Sequence, residues 1–257
     1  MLLENKVCVV TGAASPRSIG FAVAELFAAN GAAIAVLDVA VGDRTEIELA
    51  ERITARAGAA PRLAAWRCDI RKTEECDKVV AEIADRFGTV DCLVNCAGIV
   101  ASHDLLSTSE AEFDRMIGVN LKGAFNICRS VLAILAEKEG GSIINLASVA
   151  AQRGGGLVGG AHYAASKGGV ISLTKAIARE YGPKGVRANV ICPSMTETGM
   201  LDGNVDDEMF QRVVAQIPLR RAGRPSDIAG ACLFLASELS AYVTGAVIDV
   251  NGGSHIH

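Results

Sequence analysis

The residues "VCVVTGAASPRSIGFAVAELFAANGAAIAVLD", 7–38, predict the fold of this chain. An apolar β-branched run leads into a glycine-containing turn, then into a helical pattern that Gly31 closes, and then into a second apolar run. Two such strands joined by a helix form a parallel β-α-β unit. The turn contains Gly12 and Gly20, with Pro16 and Arg17 where a third glycine is typical.

The same alternation of apolar runs and amphipathic stretches continues along all 257 residues. Further strands are predicted in "LAAWRCDI", "VDCLVNCAG", "GSIINLAS", "VRANVICPS" and "AVIDVNGG", with helices at roughly 43–57, 73–87, 110–137 and 162–181 and a shorter pair within 205–236. Gly58 is expected to end the second helix. Seven strands with helical crossovers indicate an α/β fold, a single doubly wound domain over residues 1–257 with helices on both faces of a parallel sheet.

Composition disfavours several classes of function. The net charge is −4 and no basic run occurs, so nucleic-acid binding has little electrostatic support. No signal peptide is visible, and no segment reaches the ~18 consecutive apolar residues of a membrane span. The eight cysteines form no CxxC pair, and His103, His255 and His257 are dispersed. We therefore expect a cytoplasmic protein with reduced thiols, no membrane association and no metal site.

The carboxyl ends of the first four predicted strands carry residues suited to a dinucleotide. Asp38 ends the second strand, where a carboxylate accepts from both adenosine-ribose hydroxyls and repels a 2′-phosphate. The turn after the first strand opens a helix, whose free N–H groups bind anions. Asp69 and Ile70 can bind adenine through a carboxylate and an amide, although Asp69 could also cap the next helix. "NCAG", 95–98, lets the backbone approach the dinucleotide, or Asn95 simply ties the strand ends together.

A second group of residues is suited to proton transfer. Tyr163 and Lys167 are four apart on a predicted helix and therefore share a face. A neighbouring ammonium and a positively charged nicotinamide would lower the pKa of the phenol, which could then exchange a proton with an alcohol. Ser148 ends the fifth strand and could hold the substrate oxygen. Asn120 lies mid-helix, which indicates a polar kink or water site, or else a solvent-facing residue.

Together these motifs resemble the short-chain dehydrogenase/reductase family. The resemblance covers essentially the whole chain and rests on Thr11, Gly12, Gly20, Asp69, "NCAG", Asn120, Ser148, the Tyr-x-x-x-Lys pattern, "CPSMTET" and "VNGG". It implies a Rossmann-type fold, NAD(P)-dependent interconversion of alcohols and ketones, and a homotetramer built on the helices of Asn120 and Tyr163 and on the C-terminal strand. It further implies that Tyr163 is the general acid/base, that Ser148 orients the carbonyl, that Lys167 binds the nicotinamide ribose and lowers the pKa of the tyrosine, and that Asn120 holds a water in a proton relay.

The chain departs from the family pattern in three places. Cys96 replaces the second Asn of "NNAG", and Pro193 is followed by Ser194 instead of Gly. Ser148 and Tyr163 are 15 apart, two more than the family leads us to expect, with the extra residues in "RGGGLVGG", 153–160. The resemblance places Pro193, Thr196 and Thr198 at the nicotinamide and makes 195–215 a mobile substrate lid. Gln152 and His162 flank the site and could read a polar substrate or merely fill the loop.

The opening turn is two residues longer than the family turn, with Ser18 in the position of the middle glycine. We expect the amides of Ser18 and Ile19 and a hydroxyl to hold the pyrophosphate, with Arg17 near the adenosine ribose or a phosphate. The full expected cofactor set is Gly12, Ser15, Arg17, Ser18, Ile19, Gly20, Asp38, Asp69, Ile70, Asn95, Ala97, Gly98, Tyr163, Lys167, Pro193, Thr196 and Thr198; the substrate set is Ser148, Gln152, His162 and Tyr163.

Two residues favour different cofactors. Asp38 favours NAD, whereas Arg17 favours NADP, because a basic residue at that place often pairs with a 2′-phosphate in relatives. We give Asp38 more weight, since a carboxylate facing a phosphate is directly repulsive. The expected function is hydride transfer between NAD and a secondary alcohol or ketone of polyol, sugar or hydroxy-acid type. The alternatives are an NADP-dependent 3-oxoacyl thioester reductase, a catalytically silent dinucleotide-binding protein and an enoyl reductase. The enoyl reductase ranks lowest. The stretch "SPRSI" resembles the cofactor turn of that group, but its members space the Tyr and Lys more widely.

Overall fold

Seven parallel strands form one sheet in the order β3-β2-β1-β4-β5-β6-β7 in the computed structural model, which describes residues 1–57, 60–156, 158–203 and 205–257. The strands are β1 (Val7–Thr11), β2 (Ala33–Asp38), β3 (Leu63–Arg67), β4 (Cys92–Asn95), β5 (Gly141–Leu146), β6 (Val186–Pro193) and β7 (Val247–Val250). The α/β prediction with a seven-stranded parallel sheet is confirmed. Gly58, the expected end of the second helix, lies outside the described residues.

Helices connect the strands as right-handed crossovers require. Those in the described ranges are α1 (Ile19–Ala29), α2 (Thr45–Ala57), α3 (Thr73–Phe87), α4 (Glu110–Ile117), α5 (Gly123–Glu137), α6 (Val149–Arg153), α7 (Ala161–Tyr181), α8 (Asp207–Gln216) and α9 (Pro225–Ala236). A π-helical turn, Gly118–Lys122, joins α4 to α5, so the predicted helix at 110–137 is continuous but irregular. The short helix α6 was not predicted, since five residues are too few to show a periodic pattern.

The sheet is buried on both faces, as its continuous apolar strands predict. Alternate strand residues such as Val10 and Ile34 pack with α1 and α9, where Phe27 is fully buried. The intervening residues, such as Val9, pack on the other face with α3, α5 and α7. The two helical layers leave the carboxyl ends of the strands as the open edge.

The strand order reverses between β1 and β4, and open α/β sheets bind ligands in the crevice at such a point. Hydrogen bonds between the strand ends hold this crevice in shape. Thr11 Oγ1 donates to Asn95 Oδ1 at 2.7 Å and accepts from the Ala97 amide at 3.0 Å, and Asn95 Nδ2 donates to Asn145 Oδ1 at 3.2 Å. Asn95 therefore ties the strand ends together, which is the second of its two predicted roles.

One helical stretch, Glu110–Glu137, is long and apolar enough to cross a membrane by length and composition alone. The core helix of a globular fold passes the same test, and 56% of the apolar window is buried inside this fold. The stretch is accounted for by its packing against α3 and α7.

Candidate active site

A groove of about 830 Å³ runs along the carboxyl ends of β1 to β4. Most of the residues expected at the cofactor line it: Gly12, Ser15, Arg17, Ser18, Ile19, Asp38, Asp69, Ile70, Ala97, Gly98 and Thr198. Asn95 and Gly20 lie beneath its floor, and both are buried. Tyr163, Lys167, Pro193 and Thr196 line an adjoining cavity that shares Cys96, Gly98 and Thr198 with the groove.

The glycines of the opening turn allow close backbone approach at the floor of the groove. Gly12 has φ +65°, and a Cβ there would lie 2.9 Å from the Ala97 backbone. A Cβ on Gly20 would lie 2.5 Å from the Gly12 carbonyl oxygen, so α1 begins directly against the end of β1. The free amides of α1 are thereby brought to the groove, which is the cradle that a pyrophosphate requires.

The turn amides that remain free of protein acceptors are not the pair that was predicted. Ser18 is the N-cap of α1, and its hydroxyl accepts from the Phe21 amide at 3.0 Å. Its own amide donates to the Ser15 carbonyl at 3.0 Å, because the longer turn folds back on itself. Within the described residues, the amides of Ile19 and Gly20 have no protein acceptor. The expected anion-binding pair therefore shifts by one residue, from Ser18 and Ile19 to Ile19 and Gly20.

Asp38 and Arg17 differ sharply in their surroundings. The Asp38 carboxylate is half-buried and accepts from the amides of Ala14 at 3.2 Å and Ala40 at 3.0 Å, which fixes it at the end of β2. Arg17 forms a two-pronged ion pair with Asp202, at 2.7 and 2.9 Å. The Gly199 amide also donates to the Arg17 carbonyl, so the turn is attached to the predicted lid. Arg17 lines the groove as expected, but its guanidinium is held by a carboxylate.

Asp69 lies at the far end of the groove and pairs with Arg71 at 2.6 Å. Hydrogen bonds from the Arg71 side chain lower the pKa of Asp69. The helix-cap alternative is wrong, because the N-cap of α3 is Lys72. Contact of Asp69 and Ile70 with an adenine stays a prediction.

Ser148 and Tyr163 meet at the wall of the adjoining cavity. Ser148 is the N-cap of α6, and its hydroxyl accepts from the Ala150 amide at 3.1 Å. Tyr163 lies in the first turn of α7 and is 9% exposed. Burial raises the pKa of Tyr163, and a hydrogen bond with Ser148 acts in the opposite direction. The protein without its cofactor therefore raises the pKa of Tyr163, whereas a lowered pKa was expected.

Lys167 is bonded to the protein backbone through its ammonium. Its ammonium is 6% exposed and donates to the Leu146 carbonyl at 2.7 Å. Burial lowers the pKa of Lys167 to about 8. A Cβ on Gly98 would lie 3.3 Å from Lys167 Nζ and 3.2 Å from Asn120 Oδ1, so only a glycine fits between the two side chains without strain. The ammonium thus faces the junction of groove and cavity.

Asn120 lies in the π-helical turn and is 2% exposed. Its Oδ1 accepts from the Ile99 amide at 2.9 Å, and its Nδ2 donates to the Ile99 carbonyl and to Ser166 Oγ, each at 3.0 Å. The expected polar kink is confirmed and the solvent-facing alternative is wrong. The side chain is occupied by protein partners, and its role in holding a water stays a prediction.

The adjoining cavity, of about 450 Å³, lies between Tyr163 and the segment predicted as a lid. Its lining is mainly apolar and includes Val100, Val149, Ala150, Val158, Met195, Met200, Leu201, Val213 and Ile217. Of these, Met195, Met200, Leu201 and Val213 belong to the 195–215 segment, of which Asn204 lies outside the described residues. The segment thus contributes to the cavity wall, and its role as a mobile lid stays a prediction.

Gln152 and His162 do not line this cavity. Gln152 Nε2 donates to Asp249 Oδ1 at 2.8 Å. His162 is 2% exposed, and its Nε2 lies 3.7 Å from Glu112 Oε1. Neither residue is in the cavity lining, and the choice between reading a polar substrate and filling the loop stays a prediction. Arg153, which the sequence analysis passed over, lines the cavity instead.

The glycine-rich segment 153–160 packs against Tyr163. Gly159 has φ +91°, and a Cβ there would lie 2.4 Å from Tyr163 Cδ1. Its amide donates to Ser102 Oγ at 2.9 Å. The segment, of which Leu157 lies outside the described residues, therefore brings bare backbone against the phenol ring.

Replacing Gly159 with alanine is expected to lower kcat/KM about 10²-fold, because a displaced ring misplaces its hydroxyl. The left-handed backbone should also cost about 1–2 kcal/mol of stability. Steady-state kinetics and denaturant unfolding check both effects. Gly42→Ala is the control, since a Cβ on Gly42 meets nothing within 4 Å; equal kinetics of the two variants would contradict the supporting role.

No cluster of three metal-ligating side chains occurs among the described residues. The eight cysteines are free thiols, and all but Cys96 are buried. At the C-terminus His257 pairs with Asp249 at 2.9 Å and packs edge-on against His255. The terminal histidines are thus bound to the protein surface close to α6.

Comparison with known proteins places this site in a family. The family model described as enoyl-(acyl carrier protein) reductase matches residues 12–255. An uncharacterized short-chain type dehydrogenase/reductase of Sinorhizobium fredii is 43% identical over all of both chains. The 3-oxoacyl-[acyl-carrier-protein] reductase FabG of Thermotoga maritima is 37% identical over 98% of this chain and 99% of its own.

A solved structure gives the same answer. The crystal structure of a short-chain dehydrogenase/reductase from Brucella melitensis, titled glucose/ribitol dehydrogenase, superposes with a TM-score of 0.87. It is 38% identical and the match covers 100% of this chain and 99% of that one. With the ordered motifs gathered at one edge of a Rossmann-type sheet, the chain belongs to the short-chain dehydrogenase/reductase family of oxidoreductases.

Proposed function

We propose that the protein transfers a hydride between NAD and a secondary alcohol or ketone, with Tyr163 as the general acid/base. The observation that carries the proposal is the pairing of Tyr163 with Ser148 where the substrate cavity opens into the groove of Asp38. A catalytically silent binding protein would have no need of a buried phenol and a buried ammonium beside a serine at this junction.

The groove fits a nicotinamide dinucleotide. The free amides of Ile19 and Gly20 would hold the pyrophosphate, Asp38 the adenosine ribose, and Lys167 the nicotinamide ribose. Pro193, Thr196 and Thr198 line the junction where the nicotinamide would lie. The bound nicotinamide supplies or accepts the hydride, and the proton is left to the protein.

The protein's residues account for the proton. Because burial raises the pKa of Tyr163, the phenol is protonated at neutral pH and can donate to a carbonyl oxygen. Ser148 lies beside it to hold that oxygen in line. In the reverse direction Tyr163 must first lose its proton, so alcohol oxidation should accelerate as the pH rises.

Asp38 is proposed to select NAD over NADP. Its carboxylate is fixed by two amides, while Arg17, which could favour a 2′-phosphate, is neutralised by Asp202. Asp38→Ala is expected to reduce the ratio of kcat/KM for NAD to that for NADP about 10–100-fold. The substitution removes the hydrogen bonds that the carboxylate accepts from the ribose hydroxyls of NAD and the repulsion between the carboxylate and the 2′-phosphate of NADP. Steady-state kinetics with both cofactors measure the ratio.

Asp43→Ala is the matched control, since Asp43 is exposed five residues downstream and outside the groove. It should leave the ratio unchanged. A wild-type preference for NADP, or an unaltered ratio in Asp38→Ala, would rule out this selection.

The apolar cavity bears on the substrate. Polyols and sugars would leave several hydroxyls without partners against Val149, Met200 and Leu201, at a cost of about 1–3 kcal/mol each. Of the expected classes, a hydroxy acid or oxo acid with an apolar chain fits best. The similarity to the FabG of Thermotoga maritima and the apolar lid favour a second candidate, a 3-oxoacyl thioester reductase. The four-residue spacing of Tyr163 and Lys167 argues against enoyl reduction.

We also propose that the enzyme is a cytoplasmic homotetramer. Phe113 and Phe125 lie on the helix of Asn120 with 44% and 50% of their surface exposed, as expected of residues that a partner subunit covers. Light scattering should give four times the chain mass; a monomer would contradict the assembly. The free cysteines are consistent with a reducing compartment.

A further inference from the structure

The substrate cavity is positively charged although the chain is acidic. Its described lining contains Arg153 and Lys167 but no Asp or Glu, whereas the chain as a whole has a net charge of −4. The lining of the cofactor groove differs, since it carries charges of both signs: Asp38, Asp69 and Asp202 with Arg17, Arg71 and Arg115. The side chains that line the cavity therefore favour an anionic substrate group.

The two cations of the cavity lie at different depths. Lys167 is buried at the junction with the groove and bonded to the Leu146 carbonyl. Arg153 is exposed and ends α6, the five-residue helix that Ser148 caps. At about 1.5 Å per residue, Arg153 lies roughly 7.5 Å along the helix axis from Ser148. Because the Arg153 side chain is long, ligands of several chain lengths can contact both residues.

Arg153 retains binding capacity. Its only hydrogen bond within the described residues joins Nη1 to the Ser254 carbonyl at 3.3 Å, and Ser254 also lines the cavity. By contrast, Arg17 and Arg71 each face an aspartate. A guanidinium has five N–H donors, so Arg153 can still present a pair of them to an anion.

The wall between these polar ends is apolar. Val149 and Ala150 belong to α6 itself, Val158 comes from the glycine-rich segment, and Met200 and Leu201 come from the lid segment. The lining thus offers hydrogen bonds at its two ends and apolar contact between them.

We propose that Arg153 binds an anionic group at the far end of the substrate, with the reacting carbonyl at Tyr163 and Ser148 and an apolar chain between them. This rests on the proposed function. In the reductive direction a bound NADH would supply a hydride to the carbonyl carbon, and Tyr163 would supply a proton to the oxygen. The products would be a hydroxyl, NAD⁺ and a Tyr163 phenolate that regains its proton from solvent. The anion is either the substrate's own carboxylate or a phosphate of a thioester carrier.

Charge-matched substrates test the proposal. The probes are 4-oxopentanoate, 5-oxohexanoate and 6-oxoheptanoate, each against its methyl ester, and 3-oxobutanoyl-CoA against the neutral N-acetylcysteamine thioester. In the wild type, at least one anionic probe should exceed its neutral partner about 10–100-fold in kcat/KM. Arg153→Ala should abolish that preference, mainly through KM, and leave the neutral probes unchanged.

Arg179→Ala is the matched control, since Arg179 is exposed near the end of α7 and outside the cavity. It should keep the wild-type preference. Preference for acids over esters identifies a carboxylate, and preference restricted to the CoA thioester identifies a carrier phosphate. Equal rates for every pair in the wild type, or an equal loss for both members in Arg153→Ala, would overturn the proposal.

Binding separates this proposal from the proposed function. Titration calorimetry of 5-oxohexanoate and 3-oxobutanoyl-CoA into Tyr163→Phe with NADH needs no turnover. Arg153-dependent binding without turnover by the wild type would sustain the anion site and defeat the dehydrogenase. Turnover of all probes without charge preference would support the dehydrogenase and defeat the anion site.

Discussion

Replacing Tyr163 with phenylalanine is expected to lower kcat/KM about 10²–10⁴-fold in both directions, the range typical of a lost general acid/base. The substitution removes one oxygen and keeps the ring that packs against Gly159. Cofactor affinity should change little, because Lys167, Asp38 and the amides of α1 are untouched. Turnover and binding are therefore expected to separate in this variant.

Cofactor absorbance at 340 nm measures turnover, and fluorescence titration with NADH measures binding. Tyr181→Phe is the control, since Tyr181 ends the same helix outside the cavity. It should retain wild-type kinetics. If Tyr163→Phe kept its activity, or lost NADH binding together with activity, the assignment of Tyr163 as proton donor would be untenable.

Lys167→Met is the second large effect, with an expected loss of about 10²–10³ in kcat/KM. The ammonium is buried at the junction of groove and cavity, where we propose that it binds the nicotinamide ribose. Methionine has a similar length and no charge. The variant should therefore fold, because replacing a buried charge with an apolar side chain is often neutral or stabilising.

The same variant also tests whether the ammonium of Lys167 is buried in the native protein. The pKa of Lys167 is lowered from its usual 10.5 to about 8, so between these values the unfolded chain binds more protons than the native one. Native stability contributed by this residue therefore rises with pH across that window, by up to about 3 kcal/mol. Denaturant unfolding from pH 7.5 to 10 should show this rise in the wild type and not in Lys167→Met. Parallel curves would contradict the buried ammonium.

Much of the fold could be predicted because local patterns and packing agree. β1, the turn and α1 follow one another within 23 residues, and each has a pattern that only one element satisfies. The roles of Gly12 and Gly20 could be predicted for the same reason, since a glycine at a strand–helix turn indicates close backbone approach. Asp38, Ser148 and the helix of Tyr163 followed from their positions at strand ends or on a helix face.

The rest depends on burial and on side-chain direction, which no local pattern carries. The pKa of Tyr163 is raised because the fold excludes water from it, and the ammonium of Lys167 donates to the Leu146 carbonyl. His162 adjoins Tyr163 in sequence but faces Glu112 from the other side of the helix. Arg153 gave no signal in a glycine-rich loop, and only α6, too short to show a period, carries it to the cavity.

The most direct test of the central claim follows the hydride itself. Wild-type enzyme is supplied with NADH carrying two deuterium atoms at C4 of the nicotinamide and with the oxo acid or thioester it reduces fastest, and the product alcohol is analysed by mass spectrometry. One deuterium on the carbinol carbon is expected from labelled NADH, none at that carbon from D₂O, and almost no product from Tyr163→Phe. A product labelled at carbon from solvent alone, or equal labelling by Tyr163→Phe at the wild-type rate, would contradict the account.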